Sequence, residues 1–157
     1  MDLPRVLPAD PDVDLRFSAQ RAELTRTPWA VLGVIAVGGA IGSLARWGLS
    51  TAYPAGSNGF PWATFAINVS GSLLIGVVMV LITTLWSDRR LVRPFVGVGV
   101  LGGYTTFSTY AVDAQRLIVG GAGATALVYL AATVVLALAA ATTGIVATRA
   151  VLRGVRR

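Results

Sequence analysis

Residues 102–109, Gly102-Gly103-Tyr104-Thr105-Thr106-Phe107-Ser108-Thr109, set glycines and a cluster of hydroxyl groups inside a run of apolar residues. From Gly97 onward the glycines are dense where a membrane helix is expected to be most regular, so a helix break is the expected consequence. Broken backbone survives in hydrocarbon only when protein, water or a bound ion satisfies the freed carbonyls and amides. Carbonyls at such a break suit a hard cation such as Na+, and exposed helix N-terminal amides suit an anion. Phe107 and Tyr110, three apart, share a face if the helix resumes after the break; aromatic packing alone accounts for that spacing equally well.

Other polar residues fall at helical spacing. Thr64, Asn68 and Ser72 lie at i, i+4 and i+8, with Gly71 beside them, and Thr125, Tyr129 and Thr133 repeat the pattern. Each stripe reads either as interhelical hydrogen bonding or as a line of donors along a path, and two parallel stripes favour the path. Arg46 either snorkels to the interface or supplies a fixed positive charge that draws anions to a vestibule. Asp113 reads as a structural partner or an entrance-lining group. Gly38 and Gly42, four apart, read as a close-packing helix face.

These residues need long helices to position them, and the composition supplies them. The chain is 55% hydrophobic and 13% charged, more apolar than one soluble core of this length can hide. Four apolar segments, roughly Trp29 to Tyr53, Pro61 to Trp86, Pro94 to Val119 and Ala124 to Thr148, each approach the ~20 residues that cross a bilayer as a helix. The expected fold is therefore all-α and integral to the membrane: four transmembrane helices over 29–148, the third broken mid-membrane. Residues 1–28, with four prolines among acids and arginines, read as a disordered cytoplasmic tail without a signal peptide's features, and 149–157 as a basic cytoplasmic C-terminus. The links Pro54 to Phe60, Ser87 to Arg93 and Gly120 to Gly123 are short, which favours antiparallel neighbours in one bundle.

Cysteine and histidine are absent, which excludes disulfides, thiolate or imidazole metal sites, Cys nucleophiles and His-dependent triads. The net charge of +6 comes from arginine without lysine. The arginines sit in short segments between apolar runs, a pattern of cytoplasmic loops and not of nucleic-acid binding. Arg5, Arg16, Arg21 and Arg26, then Arg89, Arg90 and Arg93, then Arg149, Arg153, Arg156 and Arg157 belong to one side, while the two loops of the other side carry no basic residue. The positive-inside rule then predicts a multi-pass protein of the plasma (inner) membrane with both termini cytoplasmic.

The run Gly102 to Tyr110 closely resembles the signature Gly-Gly-x-Thr-Thr-Phe-Ser-Thr-Phe of the CrcB/Fluc fluoride channels, with tyrosine at the last position. Gly38-Gly39-Ala40-Ile41-Gly42-Ser43-Leu44-Ala45-Arg46-Trp47 and Thr64-Phe65-Ala66-Ile67-Asn68-Val69-Ser70-Gly71-Ser72 agree as well, and the resemblance covers all four segments. It implies a passive, non-enzymatic, fluoride-selective channel that exports fluoride from the cytoplasm and lowers its toxicity. It also implies an antiparallel, dual-topology-type dimer with two pathways and a structural, untransported Na+ at its centre. By position Gly102 and Thr105 give carbonyls to that Na+, and Asn68 donates its amide to fluoride. Phe107, Ser108, Thr109 and Tyr110 line the pathway, Tyr129 and Thr133 continue it, and Ala137 stands where a further hydroxyl is expected.

The chemistry is sensible on its own. Small, strongly hydrated fluoride needs closely placed N–H, O–H and ring-edge donors in place of water. A proton-coupled small-molecule exporter needs a carboxylate well inside a span, and residues 29–53 contain none. Insertion in both orientations requires a weak arginine bias, whereas here the bias is strong. The subunit is accordingly expected to insert one way and pair with an oppositely oriented paralogue, with a homodimer, a small-molecule exporter and a non-conducting partner subunit as the alternatives.

Overall fold

The computed structural model describes residues 28–56 and 59–155. The tail expected over 1–28, apart from Pro28, lies outside the described residues, as do Ser57, Asn58, Arg156 and Arg157. The described residues form helices joined by short links, with no strand among them. Helix α1 spans Pro28–Ala52 and α2 Trp62–Leu85; α3 consists of π-helical turns over Arg93–Leu101 closed by an α-turn over Gly102–Tyr104. Helix α4 spans Ser108–Val119 and α5 Gly123–Val155. Pro28, Pro61 and Pro94 stand at helix starts, where a missing N–H costs nothing. Helix α4 ends at Gly121, whose φ of 81° takes the left-handed region, while the Ala122 N–H reaches back 2.8 Å to the Leu117 carbonyl.

Helices α1 from Trp29, α2, and α5 as far as Gly154 are long and apolar enough to cross a membrane. In their most apolar stretches only 11%, 28% and 17% of residues are buried, so their leucines and valines face outward, as a lipid solvent requires. The chain is a multi-pass membrane protein. Helix α5 runs on past Thr148 through Arg149 to Val155, so the basic C-terminal segment is helical over that stretch.

The helices pack in two sets: α1 lies along α3, and α2 lies along α5, which also carries α4. Both main contacts are glycine contacts. A Cβ on Gly38 would meet the Phe95 carbonyl at 2.5 Å, one on Gly42 would strike the Val100 carbonyl, and one on Gly103 the Gly39 carbonyl. On the other pair, Gly76 faces the Ala141 carbonyl and Gly144 the Leu73 carbonyl. This is the small-residue approach of membrane helices, where close van der Waals contact replaces the hydrophobic effect. The packing expectation for Gly38 and Gly42 holds.

The glycines of the third segment do something different from what their density suggested. Gly97 to Gly103 are all helical, and the interruption is confined to Thr105, Thr106 and Phe107. Gly99 and Gly103 are needed for contact with α1 rather than for a bend; the break falls where hydroxyls and a neighbouring amide take over the backbone's hydrogen bonds.

Gly42→Ala should therefore cost about 1–3 kcal/mol of stability through forced separation of α1 and α3, read as a lower thermal unfolding midpoint in detergent. Gly33→Ala, where a Cβ meets nothing within 4 Å, should be neutral or slightly stabilising.

Candidate functional site

Helix α3 ends when Thr105 turns to φ −76°, ψ 160°. Its N–H still reaches the Leu101 carbonyl at 3.0 Å, and its hydroxyl doubles that bond at 3.0 Å. The next amide has no helical acceptor. Instead Asn68, near the start of α2, bridges the backbone N–H and C=O of Thr106: Thr106 N–H donates to Asn68 Oδ1 at 3.0 Å, and Asn68 Nδ2 donates to the Thr106 carbonyl at 2.9 Å. On the far side the Thr106 hydroxyl accepts from the Thr109 N–H at 3.1 Å and meets the Thr109 hydroxyl at 3.1 Å and that of Ser108 at 3.4 Å. This hydroxyl thus acts as the cap that starts α4.

Because Thr106 N–H goes to Asn68 and Thr109 N–H to the Thr106 side chain, the carbonyls of Gly102 and Thr105 lose the donors that a continuous helix would give them. Both residues line one cleft of about 220 Å³ together with Asn68, Gly71, Ser72 and Leu101. The donor set is oxygen alone, consistent with a hard cation and with no transition metal. Among the described residues no cluster of three or more acids exists that would hold a metal by side chains. Gly71 leaves room for the break, since a Cβ there would strike Thr105 Cγ2.

The aromatic positions continue outward from the break. Phe107 is 80% exposed, its ring centroid 5.9 Å from that of Tyr110. Tyr110 lies 5.2 Å from Tyr129, and Tyr129 meets Phe60 edge-on at 5.4 Å. The Tyr110 hydroxyl donates to the Leu130 carbonyl of α5 at 2.9 Å, so it is committed to the helix backbone. Tyr129 is fully buried, and its hydroxyl is without a hydrogen-bond partner among the described residues. Thr133, also buried, donates back to the Tyr129 carbonyl at 2.7 Å.

The α2 stripe divides its work. Ser72 lines the cleft, Asn68 holds the break, and Thr64 donates to buried Asp113 on α4 at 2.7 Å. Asp113 also lies 4.0 Å from Arg116, whose side chain is 76% exposed; at that exposure the pair adds little stability. Arg46 is half-buried on α1, one turn beyond Gly42, without an ion pair among the described residues.

Four residues carry no sign of their contacts in the sequence. Phe60 sits in a connecting loop, where no periodicity marks it. Ser70 and Tyr104 share a hydroxyl hydrogen bond at 3.0 Å that ties α3 to α2, and both resemble routine membrane-helix polar residues. Arg116 stands near the end of α4, three residues after Asp113.

Comparison with known proteins places this geometry. The model of the family described as CrcB-like protein, Camphor Resistance (CrcB), matches residues 33–145. The protein named fluoride-specific ion channel FluC 2 from Streptomyces avermitilis is 52% identical over 124 residues, covering 79% of this chain and 78% of that protein. FluC 1 of Streptomyces coelicolor is 48% identical over 139 residues, 88% and 90% of the two chains, and FluC 2 of Nocardia farcinica is 48% identical over 128 residues, 82% and 91%. The matched region contains the glycine contact of α1 with α3, the Asn68 bridge and the whole break, and the chain belongs to the CrcB-like family, whose named relatives are ion channels rather than enzymes.

Proposed function

We propose that this chain is a subunit of a fluoride-selective passive channel, with α3, the break and α4 together forming the third of four membrane crossings. The observation that carries this reading is the Asn68 bridge to Thr106, which holds an interrupted backbone open beside an exposed aromatic ring. The names of the relatives supply the ion. An anion entering beside the break meets the second N–H of Asn68, the hydroxyls of Ser108 and Thr109, and the positive ring edges of Phe107 and Tyr110, all weak donors that can exchange for water. Tyr129 and Thr133 continue the line along α5. None of these groups need change protonation, which suits passive flow and export of fluoride down its gradient.

In this reading the Gly102 and Thr105 carbonyls hold a structural Na+, with equivalent groups from the partner completing its oxygen shell. Its contribution is to neutralise carbonyl dipoles at the subunit contact, and the protein's own residues do the conducting. Both termini lie in the cytoplasm of a cell whose plasma membrane the protein spans. Eleven of the thirteen arginines fall on that side, and Arg46 and Arg116 stand toward the other. So uneven a distribution disfavours insertion both ways and favours an antiparallel partner of different sequence over a second copy. Streptomyces avermitilis has relatives numbered FluC 2 and FluC 3, so a genome with more than one such chain has precedent.

Fluoride release from loaded liposomes, followed with a fluoride electrode, tests the reading. Phe107→Leu should cut release more than tenfold without harming the fold, since the ring is exposed within the subunit; Asn68→Ala should abolish it and also loosen the break. Chloride release at comparable rates would sink the proposal in favour of a broader exporter.

Tyr110→Phe removes only the bond to Leu130, so stability should fall by about 1 kcal/mol while fluoride release stays within about twofold. A large gain in release would instead mark the hydroxyl as an obstruction.

Reconstituted alone, the chain should conduct poorly, and adding a relative with arginines on the opposite loops should restore release. Full conduction by the purified chain alone would establish the homodimer.

A further inference from the structure

Away from the break, a second cleft of about 240 Å³ opens between the C-terminal ends of α2 and α5, lined by Val80, Thr84, Arg149, Leu152 and Arg153. Arg149 and Arg153 are one helical turn apart on α5, a spacing at which like charges repel unless an anion lies between them. Neither forms an ion pair or a hydrogen bond among the described residues, so they do not cap the last carbonyls of α2. Thr83 spends its hydroxyl on the Met79 carbonyl at 2.9 Å, whereas Thr84 makes no such bond among the described residues. Two arginines and a threonine therefore line the same cleft as Val80, which is 5% exposed, and half-buried Leu152.

The place in the fold defines the ligand. Helix α5 has 33 residues, a length of roughly 50 Å at 1.5 Å per residue, against a hydrocarbon core of roughly 30 Å. Its last two turns therefore stand at headgroup level, where fork-shaped guanidinium donors match a phosphate and an apolar floor matches the glycerol and first acyl carbons. We infer that this cleft binds the headgroup of an anionic phospholipid, with Arg149 and Arg153 on the phosphate and Thr84 donating to it. A free phosphate would make no use of the Val80 and Leu152 floor. The inference needs only that α5 crosses a bilayer, and is independent of which ion the protein conducts.

The full chain, purified in detergent, is titrated with phosphatidylglycerol and, separately, with phosphatidylcholine, and bound lipid is counted by native mass spectrometry. Phosphatidylglycerol should bind preferentially, with R149Q/R153Q weakening it roughly thirty-fold, as expected for two basic residues at a headgroup. Thr84→Val should weaken it a few-fold, and phosphatidylcholine should bind each form alike. Size-exclusion profiles of the variants should match the parent, since both arginines are exposed. Equal binding of the two lipids overturns the proposal. So does an equal loss with R89Q/R90Q, which would indicate diffuse surface charge, and so does displacement of the lipid by millimolar inorganic phosphate. Binding that arises only once residues 1–27 are removed also overturns it, because the acidic tail with Asp2, Asp10, Asp12, Asp14 and Glu23 would then be the native occupant.

Discussion

The two hydrogen bonds between the Asn68 side chain and the Thr106 peptide are the constraint on which the rest of the site rests. A peptide group without partners in hydrocarbon costs several kcal/mol, and a break offers several such groups at once. One carboxamide, with its acceptor and donor a fixed distance apart, satisfies the N–H and the C=O of Thr106, one group from each of the two peptides that flank this residue. It does so from a neighbouring helix, so the break depends on the position of α2. The glycine contact of α1 with α3 and the Ser70–Tyr104 bond fix the approach from the other side.

Much of this is legible in the residues. The apolar lengths give the spanning helices, prolines mark three of their starts, and the spacing of Gly38 and Gly42 gives a packing face. The composition of the third segment announces that something irregular happens there. It puts the break within 102–109, where it falls at 105–107, but does not sort the glycines, because a glycine that bends a helix and a glycine that admits a neighbour look alike in sequence. Gly99 and Gly103 are of the second kind, and only the position of α1 distinguishes them. Asn68 is legible as a polar residue that must have a partner, but its partner is 38 residues away and on the backbone, which side-chain patterns cannot reveal. Phe60 is hidden for a different reason: it reaches Tyr129 from a loop, and loops have no period to read. Tyr110 stands where the resembled signature has phenylalanine, and its acceptor on α5 shows that the added hydroxyl is accommodated by turning it onto the Leu130 carbonyl.

Packing leaves one polar face of the chain uncovered. The cleft beside Gly102 opens outward, and exposed Phe107 adjoins it in sequence. A surface that is both polar and carbonyl-rich is poorly solvated by acyl chains, so it is the part of this chain with most to gain from being covered by protein.

The division of the helices into two sets has a mechanical corollary. Helix α3 travels with α1, and α4 with α5 and α2, so the chain passes between the two sets three times, at 53–61, at 86–92 and at Thr105 to Phe107, and the last of these links is the shortest. A link of three residues has little slack, and it is the one that the Asn68 side chain also holds. A displacement of one set against the other would therefore be felt first in those two hydrogen bonds, while the helices kept their shape.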